Sequence, residues 1–303
     1  MTSKNLAGVY AAALTPLKAD FSPDLEAIHP LLAFYAQRGC HGALLLGTTG
    51  EGPSFAPEER TAIYRAALRV RQEFPDFRLM AGTGTPSLAE TTSLTRAAFD
   101  LGFDAVVVLP PYYFRKATDE GLLAWFNKVI EQAVPSDGAL LGYHIPGVSG
   151  VPLSLDLLSR LKDAHPQRFA GIKDSSGDPK HAEQLGARFG SDLTVLTGDD
   201  RLLSFAMQNQ AAGCITAMAN LFSPSLRIVW DAHQRGDDDL NTQAQLDAWR
   251  TVLESYQPYA TSLKKLMHRM HGFPEWPVRP PLLPLPNGLA EKAFEELEAA
   301  TKQ

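Results

Sequence analysis

The sequence predicts an α/β protein, a closed (β/α)8 TIM barrel with a C-terminal helical extension. Short apolar segments alternate with longer amphipathic ones through most of the 303 residues, a pattern typical of parallel βα units. Eight such segments are present, whereas open doubly wound sheets more often have about five or six strands. We therefore assign residues 1–235 to a barrel that holds the active site and residues 236–303 to a C-terminal helical region.

The predicted strands are almost continuously apolar, as expected for strands covered by helices. They are residues 9–15, 42–48, 77–83, 104–110, 139–145, 169–174, 193–198 and 213–218. The helices between them are predicted from capping residues or a proline in the first turn. These helix starts lie at residues 22–27, 56–60, 87–90, 118–121, 154–158, 178–183 and 223–228.

The pattern changes after residue 235. Residues 237–257, 260–272 and 288–303 have helical periodicity, and the proline-rich residues 273–286 can form neither a helix nor a central strand. We expect this region to pack against the barrel or a second subunit without contributing to the chemistry.

Composition excludes several classes of partner. The net charge is −6 and both signs are interspersed, so no basic surface for nucleic acid is expected. Cys40 and Cys214 lie in apolar segments and are predicted to be reduced core residues, which indicates neither a disulfide nor a metal site. The first residues lack a signal-peptide core and no apolar run is long enough to span a membrane, so we expect a cytoplasmic protein.

The sixth strand, FAGIKD, ends on a lysine. Because side chains alternate along a strand, Phe169, Gly171 and Lys173 are predicted to face the barrel interior. Ala170 and Ile172 would then face the helices, and Gly171 would leave space beneath the lysine. Apolar surroundings favour the neutral amine, which forms a Schiff base with ketones, although a solvated strand-end lysine is the simpler alternative.

Other polar residues follow neighbouring strands, at the end of the barrel where active sites lie. Thr48 and Thr49 occupy a glycine-flanked loop whose hydroxyl and N–H groups suit a carboxylate, and Tyr143 offers a phenol for proton transfer. A 2-oxo acid needs this combination. Taken singly, the threonines are equally explained as turn residues and Tyr143 as a core aromatic residue.

Five motifs occur in order along nearly the whole chain, from about Val9 to the proline-rich segment. They are GTTGE (47–51), PYY (111–113), YHIP (143–146), GIK (171–173) and GDD (198–200). In this combination the sequence resembles the pyruvate-dependent class I aldolases, the dihydrodipicolinate synthase and N-acetylneuraminate lyase family.

The resemblance implies a (β/α)8 barrel in which Lys173 forms the Schiff base and Tyr143 is the proton relay. It also implies that Thr48 and Thr49 hold the pyruvate carboxylate, with Thr48 counted among the catalytic residues. Tyr113 would be a catalytic residue that reaches into a neighbouring subunit, which implies a homodimer or homotetramer.

The resemblance implies further substrate contacts. The backbone of Ile215 would lie beside pyruvate, and Ser175, in the turn after strand 6, is a further candidate. Asp200 would keep a contact to a hydroxyl group or a cation, and Arg201 would meet a distal carboxylate or phosphate unless it lies at the surface. Neither a metal nor a cofactor is expected.

The sequence departs from both main branches of the family. Val148 stands where the synthases carry an arginine that binds a second carboxylate, which argues against aspartate semialdehyde. Arg201 replaces an acidic residue of the neuraminate lyases, and Ala217 replaces a serine. Both of these changes affect polyol recognition.

We therefore predict a lyase acting on a 4-hydroxy-2-oxo acid, such as a 2-keto-3-deoxy sugar acid, by aldol cleavage, condensation or dehydration. Dihydrodipicolinate synthase or N-acetylneuraminate lyase activity is an alternative, as is a pyruvate-binding regulatory barrel without turnover. A metal-dependent hydrolase is disfavoured, since the only close histidine pair, His268 and His271, lies outside the predicted barrel.

Overall fold

The computed structural model describes residues 5–301 and confirms the closed barrel. Its eight strands are all parallel, pair in chain order, and close through pairing of the last strand with the first. The strands are β1 (Gly8–Ala12), β2 (Gly42–Leu45), β3 (Arg78–Gly82), β4 (Ala105–Val108), β5 (Leu140–His144), β6 (Phe169–Asp174), β7 (Thr194–Thr197) and β8 (Gly213–Thr216). Each observed strand overlaps a predicted one.

Helices connect successive strands and surround the barrel. They are α1 (Leu25–Gln37), α2 (Pro57–Ala67), α3 (Leu88–Asp100), α4 (Asp119–Ala133), the single turn α5 (Pro146–Ser149), α6 (Leu155–Ala164), α7 (Pro179–Phe189), α8 (Leu203–Gln208) and α9 (Ala219–Gln234). Three further helices form the C-terminal region: α10 (Leu240–Glu254), α11 (Tyr259–His271) and α12 (Asn287–Thr301). Among residues 5–301, no helix combines the length and the apolar character needed to cross a membrane.

Predicted capping residues explain where four of these helices begin. The side chains of Ser87, Thr118, Ser154 and Asp178 each accept a hydrogen bond from a first-turn N–H, at the starts of α3, α4, α6 and α7. Such a bond satisfies one of the backbone donors that have no partner within the helix.

Two predicted helix starts are wrong. Helix α1 begins at Leu25, after Asp24, and not next to Ser22. Helix α9 begins at Ala219, before the predicted start at residue 223, and has non-helical backbone angles at Phe222. Pro224 lies one turn inside α9, and since a proline clashes with the preceding turn of a helix, the kink at Phe222 accommodates it.

Two apolar clusters divide the core. The larger lies between strands and helices, and the smaller fills the barrel interior with residues such as Tyr10, Leu44, Met80, Leu141 and Tyr143. The barrel interior is therefore a packed core, as in other barrels of this kind.

One part of the strand-parity prediction for β6 is wrong. Phe169 packs in the outer cluster, whereas Ala170 packs against the inner one. The register with β5 shifts by one residue at this point, so a bulge reverses the alternation. Gly171 is needed because a Cβ there would overlap the carbonyl oxygen of Thr194, and not to leave space beneath the lysine. Beyond the bulge, Ile172 faces the helices as predicted.

Candidate active site

A cavity of about 570 Å³ opens at the carboxyl ends of the strands. Its base is formed by residues at or just after the carboxyl ends of β1, β2, β5, β6, β7 and β8, as expected for the active-site end of such a barrel. The barrel contributes Ala12, Thr48, Thr49, Tyr143, Ile145, Gly147, Val148, Lys173, Ser175, Ser176, Gly177, Gly198, Asp199, Arg201, Ile215 and Ala217.

Lys173 and Tyr143 form the centre of the cavity floor. They are paired across β5 and β6, so their side chains lie side by side on the inner face. The Lys173 Nζ atom is 4.2 Å from the centroid of the Tyr143 ring, and both residues are buried. Lys173 lies inside the mouth of the barrel, and the solvated alternative does not apply.

The Thr48 hydroxyl completes a short polar chain above the lysine. Its Oγ1 atom is 3.5 Å from the Tyr143 hydroxyl. Burial alone would raise the pKa of Tyr143, but the positive charge of Lys173 and hydrogen bonding by Thr48, Lys173 and Ser175 outweigh burial and lower the pKa below its usual value. The Tyr143 phenol therefore loses its proton more readily than the phenol of a free tyrosine.

The loop that carries Thr48 and Thr49 is tightly folded. Leu46 and Glu51 both adopt the left-handed conformation, with φ of 56° each, which is uncommon for residues other than glycine. The next residue, Gly52, has to be glycine because a Cβ at this position would overlap the Leu46 carbonyl oxygen. Backbone strain of this kind persists only where surrounding contacts hold it, and it is frequent at functional sites.

Ser175 and Ile215 line the same cavity as Lys173. The Ser175 N–H donates to the His144 carbonyl at 2.8 Å, which extends the β5–β6 pairing past the lysine. A Cβ at Gly198 would overlap the Ser175 hydroxyl, so glycine at this position lets the hydroxyl keep its place.

The upper wall is formed by a network of charged side chains. Arg201 donates to both carboxylate oxygens of Asp199, at 3.2 and 2.9 Å, and to Glu254 at 3.1 Å. Arg250 lies behind it, with its Nε atom 3.5 Å from Glu254. Burial alone would raise the pKa of Asp199, but Arg201 and Arg250 outweigh it and lower the pKa.

Asp200 does not line the cavity. Its side chain is fully buried and paired with Arg250 at 2.5 Å, and burial raises the pKa of its carboxyl, which Arg250 only partly offsets. The carboxylate that faces the cavity from this motif is that of its neighbour Asp199.

Tyr113 also lies away from the cavity of its own chain. It is 77% exposed and contacts Phe114 edge to face, with 5.4 Å between the ring centroids. Val148 lies at the mouth of the cavity.

The C-terminal region, which was expected to pack without contributing to the chemistry, also forms part of the cavity wall. Its share of the wall is Arg250, Glu254, Gln257, Pro258, Tyr259, Ala260 and Leu282. A division of the chain at residue 235 therefore separates two parts of one site.

A second polar cluster lies directly behind the cavity floor. His144 and Asp174 follow Tyr143 and Lys173 on their strands, and His181 of α7 joins them, with its Nδ1 atom 3.2 Å from Asp174. The imidazole rings of His144 and His181 stack at 4.6 Å. His144 Nδ1 accepts the Leu153 N–H at 2.9 Å, so in the neutral ring Nε2 carries the proton and is not free to bind a metal.

Burial lowers the pKa of His144 to about 4, so this ring is neutral at physiological pH. The cluster therefore packs and orients the ends of β5 and β6. No local sequence pattern predicts this cluster, because His144 comes from a different strand than Asp174 and reaches the other two residues only through the β5–β6 pairing.

Comparisons with known proteins identify the family of this chain. The family described as "Dihydrodipicolinate synthetase family" matches residues 5–302. The chain is 39% identical to an uncharacterized DapA-like lyase of Chloroflexus aurantiacus, over 97% of this chain and 98% of that protein. It is 30% identical to 4-hydroxy-tetrahydrodipicolinate synthase 2 of Streptomyces coelicolor, over 96% and 92% of the two chains.

Solved structures give the same result. The crystal structure of dihydrodipicolinate synthase from Agrobacterium tumefaciens superposes with a TM-score of 0.87 at 30% identity, covering 97% of this chain and 99% of that one. The similarity therefore includes the C-terminal helices together with the barrel.

Proposed function

Since the chain belongs to the dihydrodipicolinate synthetase family, we propose that it forms or releases pyruvate through an imine on Lys173. Members of the family are lyases and aldolases, so the chain is an enzyme of this class. The substrate we propose is a 4-hydroxy-2-oxo acid such as a 2-keto-3-deoxy sugar acid. The observation that carries the proposal is the enclosed Lys173 amine beside the Tyr143 phenol.

In the cleavage direction, the Lys173 amine gives up a proton and attacks the C2 carbonyl, and loss of water with return of a proton to the nitrogen gives the protonated imine. The Tyr143 oxygen accepts the proton of the C4 hydroxyl. The C3–C4 bond then breaks, the aldehyde departs, and the bonding electron pair is taken up by the imine as an enamine. Protonation at C3 and hydrolysis of the imine release pyruvate and restore the lysine.

The substrate carboxylate is proposed to lie against Thr48 and Thr49, which line the same cavity as Lys173. Hydroxyl and backbone N–H groups in such a loop bind an anion without a full positive charge. Ile215 and Ser175 would contact the three-carbon part of the substrate from the other side.

The upper wall favours a neutral, hydroxylated distal end. Arg201 is already paired with two carboxylates, Asp199 and Glu254, so it offers little attraction to another anion. The lone pairs that remain on those carboxylates accept hydrogen bonds from hydroxyl groups. This arrangement argues against the distal carboxylate or phosphate considered for Arg201.

Pyruvate release from a panel of 4-hydroxy-2-oxo acids of equal length tests this assignment. For substrates with a neutral, hydroxylated distal end, we expect kcat/KM to be at least about tenfold higher than for substrates that end in a carboxylate or phosphate. A preference for the charged ends would contradict the proposed role of the upper wall.

The imine itself is tested by treating the protein with pyruvate and borohydride and mapping the modified residue by mass spectrometry. We expect one reduced adduct, on Lys173. Condensation of pyruvate with aspartate semialdehyde faster than any cleavage reaction would instead favour a synthase. If pyruvate is trapped but neither the 4-hydroxy-2-oxo acids nor aspartate semialdehyde is turned over, the proposed aldol reaction is contradicted.

We also propose that the chain assembles as a homodimer or homotetramer. The support is the exposed aromatic pair Tyr113 and Phe114, 77% and 68% exposed at the active-site end of the barrel. In an oligomer, Tyr113 would enter the partner's cavity. Light scattering measures the assembly directly.

A further inference from the structure

Glu51, the last residue of the GTTGE motif, takes no part in the cavity wall. Its side chain is fully buried and forms an ion pair with Lys264 of α11, whose side chain is 1% exposed. The Lys264 Nζ atom lies 2.5 Å from Glu51 Oε1. The loop that carries Thr48 and Thr49 is thus joined to the C-terminal region by two buried charges.

Both charged groups are fully engaged by the C-terminal region. Glu51 Oε2 accepts the backbone N–H of Arg279 at 2.8 Å, and Lys264 also donates to the Pro277 carbonyl at 2.7 Å. A second ion pair lies nearby, where the Arg279 guanidinium donates to Glu59 and to the Ser54 carbonyl, each within 2.8 Å.

The pair acts on a strained segment of the loop. Glu51 has a left-handed backbone, and its N–H donates to the Thr48 carbonyl at 3.1 Å. A residue in this conformation relaxes unless its surroundings hold it. Because Glu51 is tied to Thr48 through this hydrogen bond, a relaxation at Glu51 would move the threonines.

We propose that Lys264 is a positioning residue, whose ion pair with Glu51 fixes Thr48 and Thr49 in the geometry that binds the carboxylate of a 2-oxo acid. The proposal rests on the proposed function and adds a part played by the C-terminal region in substrate affinity. Lys264 acts through Glu51 and the loop, and it does not line the cavity itself.

The effect of the Lys264–Glu51 ion pair depends on the burial of both charges. Burial lowers the pKa of Lys264 and the neighbouring Glu51 carboxylate opposes this, so the charge on Lys264 depends on Glu51. Removing one partner leaves a buried charge without compensation, whereas removing both charges together costs less. The single and double variants are therefore expected to differ.

The test compares Lys264→Met, Glu51→Gln and the double variant with the wild-type enzyme. The measured quantity is the pyruvate concentration that gives half-maximal borohydride trapping at Lys173, together with thermal unfolding. Each single variant is expected to raise that concentration by roughly tenfold while still reaching full modification at saturating pyruvate. The double variant is expected to recover part of the affinity.

Lys265→Met is the matched control. Lys265 is the next residue of the same helix and also forms an ion pair, but with Glu275 and away from the loop. Its half-maximal concentration is expected to stay within about twofold of wild type.

Unchanged pyruvate dependence in a folded Lys264→Met variant would overturn the positioning role, even if its melting temperature falls. If that variant does not fold, Glu51→Gln decides on the same measurement, because glutamine keeps the size of glutamate while its single amide oxygen accepts a hydrogen bond from only one of the two donors, Lys264 or Arg279. Absence of an adduct in the wild-type enzyme would overturn the proposed function and this inference with it.

Discussion

Replacing Lys173 with arginine is expected to abolish imine formation and to reduce turnover by about 10⁴-fold or more. Arginine keeps a positive charge near the Tyr143 ring, but its guanidinium stays protonated and does not condense with a ketone. The measurements are borohydride trapping with pyruvate, followed by mass mapping, and kcat for pyruvate release. Since the covalent step is lost, saturating substrate is not expected to restore activity.

Lys180→Arg serves as the control for this change. Lys180 lies on the exposed face of α7, outside the cavity, and its replacement is expected to leave both trapping and turnover at the wild-type level. A Lys173→Arg enzyme that still releases pyruvate at a comparable rate would exclude the imine mechanism.

The barrel and the central pair could be predicted because both depend on local sequence pattern. Eight apolar strands with interleaved helices have few other packing solutions, and strand ends define one face of the barrel. Lys173 and Tyr143 lie at the ends of adjacent strands, so their proximity follows from the topology alone. The same argument places Thr48 near them, because the loop after β2 opens on the same face.

The alternation of side chains along a strand predicted the wrong direction for two residues of β6, where the strand is irregular. The bulge at the start of β6 shifts the register by one residue, so Phe169 and Ala170 exchange sides while Lys173 keeps its inward direction. A bulge depends on how two strands pair, and neither strand contains a local signal for it.

The upper wall could not be predicted, because it forms from distant segments. Arg250 and Glu254 come from α10, about fifty residues after Asp199 and Arg201, and their side chains meet only when α10 packs over the barrel mouth. Arg250 and Glu254 are spaced i, i+4, which is common on solvated helices, so this spacing does not mark them as residues of a site. For the same reason Asp200 was predicted as the substrate contact, whereas it is Asp199 that faces the cavity.

Replacing Tyr143 with phenylalanine is expected to lower kcat for cleavage by about 10²–10⁴-fold, the usual contribution of a positioned proton-transfer group. The ring still packs beside Lys173, so trapping of pyruvate on Lys173 should persist and separate this variant from Lys173→Arg. The measurements are kcat for pyruvate release and the fraction of Lys173 modified at saturating pyruvate. Loss of trapping together with turnover would instead indicate a structural role for the phenol.

The pH profile gives the sharper test of the same residue. The pKa of Tyr143 is lowered from its usual 10.0, so the phenolate that accepts the C4 hydroxyl proton forms at lower pH than in a free tyrosine. Wild-type kcat for cleavage is expected to rise with pH and level off below pH 10, and this rise should be absent in Tyr143→Phe. Thr48→Val removes a hydrogen bond that stabilises the phenolate, so the rise should move to higher pH. A shift to lower pH, or a Tyr143→Phe profile that matches wild type, would contradict the proton-relay role.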